Sequence, residues 1–166
     1  MRKKYYIGII LSLIPLILLD QVTKLLADIH LKNQNAIPII KDVLVLDYVE
    51  NRGAAFGTFQ GGFVFFVFTF IVLAVFMCFF AMRVPLTQRM KPLRILLVFV
   101  LAGAIGNFID RIRLRYVIDF IYFKLIDFPV FNVADIYVTV SMILLIILCL
   151  FYYKEEDFEQ LLHRKG

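Results

Sequence analysis

Two carboxylates stand in apolar surroundings with no cation beside them: Asp119 in the run YVIDFIYF and Asp135 in FNVADIYV. Two carboxyl groups close together at a partly desolvated surface do not both ionise easily, so one pKa rises and the pair holds a shared proton. Such a pair can hydrolyse an amide, one member taking a proton from water while the other, as an acid, polarises the carbonyl. The other chemistry open to acids inside a membrane is a proton or ion path. Further polar residues in apolar runs are Asp20 and Lys24, an i, i+4 pair with the acid first, and Asn107, Asp110 and Arg111. Buried ion pairs, Asp20 with Lys24 and Asp110 with Arg111, are the structural alternative to a direct role for these four.

The elements that must position these groups are membrane spans. Of 166 residues, 62% are apolar and 19% charged, and the mean hydropathy is +0.87. That excess is too large for one soluble core and leaves no room for a large separate soluble domain. Runs 5–27, 63–82, 95–112 and 133–153 are long enough to cross a bilayer. The first continues through Asp20 and Lys24 with no small-residue cleavage site, so it is read as a retained helix adjusted near Pro15. The expected architecture is an all-α membrane protein of four transmembrane helices with a small extracytoplasmic β element, residues 1–166 forming a single integral membrane domain.

Orientation follows from the basic residues. Arg2, Lys3 and Lys4 precede span one, Arg83, Arg89, Lys91 and Arg94 lie between spans two and three, and Lys154, Arg164 and Lys165 follow span four. These segments are expected in the cytoplasm, with both termini inside and segments 28–62 and 113–132 outside. At about 1.5 Å per helical residue, Asp20 and Lys24 then lie about 23 and 28 Å from Tyr5, and Asn107 to Arg111 about 18 to 24 Å from Ile95. Asp135 begins span four from the same side, so the polar groups converge on one level near the outer edge. Gly103 and Gly106 continue the Asn107/Asp110 stripe with small residues that let helices approach closely. The Ile- and Val-rich stretch 37–49 reads as one or two short strands leading to a turn at Gly53, and Tyr116 to Phe123 reads as another.

The motifs DQVTK (20–24), NRGAAFG (51–57), GNFIDR (106–111), VIDF (117–120) and FNVAD (131–135) resemble, in order and spacing, those of the bacterial lipoprotein signal peptidase (signal peptidase II) family. The resemblance implies a four-helix inner-membrane aspartyl endopeptidase with an extracytoplasmic β-cradle. Its substrate would be a diacylglyceryl-modified prolipoprotein, cut just before the lipidated cysteine, with membrane lipid around it, no cofactor or metal, and no obligate protein partner evident. By motif, Asp119 and Asp135 become the catalytic pair. Asp20 and Lys24 stabilise the site or orient substrate, and Asn51 contacts the bound peptide beside Gly53. Asn107 and Arg111 position the peptide backbone, while Asp110 and Asn132 fix those groups. Arg52 stands where the family often has another residue, and is expected to meet lipid phosphate. The turn from Asn51 to Gly57 is expected to be mobile.

Other chemistries fit poorly. Ser12 and Ser141 lie within spans, which disfavours a serine/lysine dyad with Lys24, and His30 and His163 fall on opposite sides of the membrane, which disfavours a paired-histidine zinc site. Cys78 and Cys149 are expected to be small core residues. No basic stripe for nucleic acid is formed. A small proton-coupled carrier or channel is the alternative from another class, but it needs polar groups at mid-membrane, and the inner halves of the spans are nearly free of ionisable residues. A packing subunit using the Gly103 and Gly106 face would leave Asp119 unexplained.

Overall fold

The protein is described by a computed structural model covering residues 2–53 and 62–162. The helices α1 (Arg2–His30), α2 (Phe63–Arg83), α3 (Lys91–Leu114) and α4 (Val133–Phe151) are each long and apolar enough to cross a membrane. Their ends fall within about one turn of the expected runs, and α1 is unbroken through Pro15. Pro92 in the first turn of α3 suits a position whose N–H would be unpaired in any case. Arg115 closes that helix in the left-handed region (φ 71°), its N–H bonded to the Arg111 carbonyl, and so turns the chain toward the sheet.

Both β-rich stretches form strands. β1 (Ile37–Ile40), β2 (Leu44–Asn51) and β3 (Val117–Phe123) make one antiparallel sheet in the order β1-β2-β3. Asp42, at φ 57°, reverses the chain between β1 and β2. A 3₁₀ turn over Lys124–Ile126 follows β3 and returns the chain toward α4. The sheet packs on the membrane helices through Ala27 of α1 and Leu31, just past its end, against Ile118 and Phe120 of β3.

A second apolar cluster closes the opposite end of the bundle, where Val84, Met90 and Leu93 meet Tyr153 and Leu161. The acidic tail forms α5 (Glu155–Leu162) there. Asp157 pairs with Arg89 at 2.7 Å, and the Arg89 guanidinium also donates to the Tyr152 carbonyl. Tyr153 Oη accepts from Leu93 N, satisfying one of the unpaired amides at the start of α3.

The outward faces of α1, α2 and α4 present Leu11, Leu18, Phe68, Phe76, Ile143 and Leu150, among many others, to the surroundings. Only hydrocarbon accommodates so much exposed apolar side chain, while the helices satisfy their own backbone groups. Cys78 and Cys149 belong to this surface: both are exposed, contrary to the core position expected from their apolar runs. Apolar residues in a membrane helix face lipid as readily as protein, so an apolar run does not say which side a cysteine takes.

Candidate active site

The site is assembled around the start of α4. Asn132 is its N-cap: Oδ1 accepts from Asp135 N at 3.0 Å, and Asp135 Oδ2 accepts from Asn132 N at 3.1 Å, a reciprocal capping box. The same Asn132 side chain donates through Nδ2 to Asp119 Oδ1 at 2.6 Å and to Asn107 Oδ1 at 3.1 Å. One fully buried asparagine thus joins both aspartates.

Asp119 sits on β3 opposite Val49 of β2. Its Oδ2 accepts from Asn51 Nδ2 at 2.8 Å, and Asn51 Oδ1 in turn accepts from Gly53 N at 3.1 Å. Asp135 Oδ1 accepts from Asn107 Nδ2 at 2.8 Å. Each of the four carboxylate oxygens therefore holds one amide donor, fixing both groups in orientation without placing a full positive charge directly on either. Burial raises the Asp119 pKa from 3.8 to about 7; hydrogen bonds from Asn51 and Asn132 oppose the rise, and the nearby charge of Asp135 adds to it.

Behind the aspartates lies a buried ionic lattice. Lys24 Nζ is 2.9 Å from Asp20, 3.0 Å from Asp110 and 2.8 Å from Asn107 Oδ1. The lattice holds the backbone on both sides of the site. Asp20 Oδ1 accepts from Ala134 N at 3.0 Å, inside the first turn of α4, and Asp110 Oδ2 accepts from Ile118 N at 3.3 Å, next to Asp119. Asp20 reaches α4 because Gly106 leaves the space; a Cβ there would overlap the Asp20 carboxylate, and one at Gly103 would overlap the Ala134 carbonyl.

Gln21 belongs to the same lattice and was missed by sequence reasoning. Its Nε2 lies 3.1 Å from Asp20 Oδ2, 3.0 Å from Asp110 Oδ1 and 3.2 Å from the Gly106 carbonyl. One cation faces two carboxylates here, and the amide supplies donors for the excess acceptor. The available signal was a polar residue in DQVTK three positions before Lys24, hence on the same side of the helix.

A cleft of about 780 Å³ opens onto the aspartates. Asn51, Gly53, Asn107, Arg111, Asp119 and Asp135 line it, whereas Asp20, Lys24, Asp110 and Asn132 stand behind its wall. The rest of the lining is largely apolar, including Phe128, Phe131, Ile136 and Val140. Arg111 lies over the Phe66 ring at 4.5 Å and borders the cleft.

One expectation is corrected. Asp110 pairs across helices with Lys24, not with Arg111, because consecutive helical residues point about 100° apart. Asn51 donates to Asp119 and also lines the cleft. Arg52 pairs with Glu50 at 2.7 Å and lies over the Tyr116 ring at 5.2 Å, within reach of local partners. Most of the turn expected to be mobile, including Gly57, falls outside the described residues, as does His163. Among the described residues, no group of three or more His, Cys, Asp and Glu side chains is placed to hold a metal ion.

The chain matches the family model described as signal peptidase (SPase) II over residues 12–151. It is 41% identical over 158 residues to the lipoprotein signal peptidase of Streptococcus pyogenes serotype M5 (strain Manfredo), which spans 95% of this chain and 99% of that protein. Against the same enzyme of serotype M3 (strain ATCC BAA-595 / MGAS315) the identity is 40% at the same coverage. Two solved structures described as bacterial membrane enzymes share the fold. One has a TM-score of 0.76 at 29% identity, covering 96% of this chain and 94% of its own; the other has 0.74 at 30% identity, covering 88% and 94%.

Proposed function

Because the chain belongs to the signal peptidase II family, whose activity is the cleavage of lipoprotein signal peptides, we propose that Asp119 and Asp135 are the pair that performs it. The protein is an aspartic endopeptidase acting on diacylglyceryl-modified prolipoproteins, and a proton-coupled carrier is not favoured. The observation that carries the assignment is that both carboxylates are tied to Asn132 and face one cleft.

A water between the carboxylates is the nucleophile. Burial raises Asp119 to about 7, and Asp119 is the member of the pair to which the shared proton is assigned, held as pH falls below that value. As water attacks the carbonyl preceding the lipidated cysteine, ionised Asp135 takes one of its protons and Asp119 gives its own to the carbonyl oxygen. The tetrahedral diol then collapses: the C–N bond breaks, Asp135 returns its proton to the departing amine, and Asp119 recovers one from the second hydroxyl. The products are the signal peptide with a new carboxylate and the lipoprotein with a free cysteine amine. No covalent intermediate and no metal is needed. Arg111 and Asn51 lie where they can hold the peptide beside the scissile bond, and the apolar cleft wall suits a lipid-bearing residue.

The orientation is read from charge. Arg2, Lys3 and Lys4 begin α1, and Arg83, Arg89, Lys91, Arg94 and Lys154 flank the other helix ends away from the sheet, which supports the reading that this end faces the cytoplasm and the aspartates the outer side. There the acyl chains of the substrate can remain in the leaflet while its signal helix lies against the spans. The whole chain then works as one membrane domain.

The test is cleavage of a diacylglyceryl prolipoprotein by the detergent-purified enzyme, with Asp119→Asn and Asp135→Asn as separate variants and a chelator control. Activity that survives chelator and is lost in both folded variants is expected. Cleavage by either variant at the wild-type rate removes that residue from the pair.

A further inference from the structure

The far tip of the sheet is apolar and uncovered. Ile39 and Ile40 of β1 are 56% and 54% exposed, and Leu125 and Ile126 of the 3₁₀ turn are 63% and 66% exposed. The two groups belong to one surface: Leu125 N donates to the Val43 carbonyl, and Lys124 pairs with Asp42 at 3.0 Å. None of the four borders the cleft. A contiguous exposed patch of this kind on a soluble face marks an interaction site.

The level of the tip indicates its occupant. The sheet packs on Ala27, in the last turn of α1, and on Leu31 just beyond it. On its other side that part of α1 still presents Leu25, Leu26 and Ile29, the last 61% exposed, to lipid. At 29 residues α1 is about 43 Å long, more than the hydrocarbon layer of about 30 Å, so these turns reach the interfacial layer. The sheet therefore stands beside the bilayer surface, and its apolar tip continues the lipid-facing surface of α1. Exposed Lys41 and Lys124, the latter shared with Asp42, border the tip and can reach lipid phosphates at that level. Addition of a strand from another protein is disfavoured by Pro38, which takes an amide donor out of the edge strand.

We infer that Ile39, Ile40, Leu125 and Ile126 insert into the interfacial layer of the leaflet on the sheet side, anchoring the sheet to lipid apart from the four spans. The anchor fixes the depth of β3, and with it Asp119. This rests on the membrane-spanning fold and not on the assignment of the catalytic pair, so either can fail alone.

The chain contains no tryptophan, so Ile126→Trp and Leu125→Trp each give a single emitter, with Phe68→Trp on α2 as the lipid-facing reference. Each variant is reconstituted in phosphatidylethanolamine/phosphatidylglycerol vesicles whose acyl chains are brominated near either the headgroup or the methyl end. Retained prolipoprotein cleavage reports folding. The expected result for both tip variants is loss of most of the emission with lipid brominated near the headgroup, less loss with the other lipid, and protection from acrylamide. Quenching by acrylamide with no effect of either lipid places the tip in water and overturns the inference. Quenching by neither also overturns it, showing that protein, such as a second copy of this chain, covers the tip.

Discussion

Asn132 donates to Asp119 Oδ1 at 2.6 Å while capping the helix that begins beside it. One side chain thus sets the position of β3 relative to α4 and the orientation of two carboxylates. Asn132→Asp keeps the cap acceptor but replaces the donor with an oxygen facing Asp119; Asn132→Ala removes both functions, and a lost N-cap alone costs about 1 kcal/mol. The expected result is a fall in kcat of about 100-fold for each variant, of the order produced by small misplacements of reacting groups. Asn132→Asp should remain the more stable of the two in thermal unfolding, since it can still cap.

The pH dependence of stability follows from Asp119. Its carboxyl is raised from 3.8 to about 7, so between these values the folded state binds more proton than the unfolded one, and stability falls as pH rises through that window. Asp119→Asn removes the titration. Its melting temperature relative to wild type should therefore rise from about pH 4 to about pH 7, across that window; a constant difference would show that Asp119 titrates at an ordinary value.

Activity should decline as Asp119 loses its proton above about 7. The Asn51 hydrogen bond favours the charged carboxylate, so Asn51→Leu moves the alkaline limb of kcat/KM upward while lowering the maximum. A limb that stays in place would show that another group sets it.

Among the described residues, Lys24 is the cation paired with both Asp20 and Asp110, and all three are 2% exposed or less. Lys24→Met leaves two buried carboxylates unpaired and should destabilise by about 3–5 kcal/mol, whereas the triple variant with Asp20→Asn and Asp110→Asn should recover part of that loss. Unfolding in mixed micelles measures both.

Glycine at 106 is required by approach, not by backbone angle. Gly106→Ala pushes on the Asp20 carboxylate and should cost about 1–3 kcal/mol as overpacking, with loss of activity through the start of α4. Gly8→Ala, with nothing within 4 Å of the added atom, should leave both stability and cleavage close to wild type.

The sequence by itself determined the four spans, because runs of apolar side chains long enough to cross hydrocarbon admit little else than helix, and it determined the strand-forming stretches around 37–49 and 116–123. It also marked the candidate site, since acids such as Asp119 and Asp135 are expensive in apolar surroundings and are rarely kept there without use. Only the tertiary structure decided who partners whom. Lys24 has Asp20 on its own helix, but Asp110, Asn107, Ala134 and Ile118 enter the lattice from other elements. A hydrogen bond depends on distances of a few tenths of an ångström across the bundle, and hydrophobic pattern fixes helix length and lipid exposure without fixing rotation about the axis. For the same reason Cys78 and Cys149 faced lipid instead of the core, and Gln21, one polar residue among several in its motif, became visible as a member of the site only when α1 and α3 were brought together.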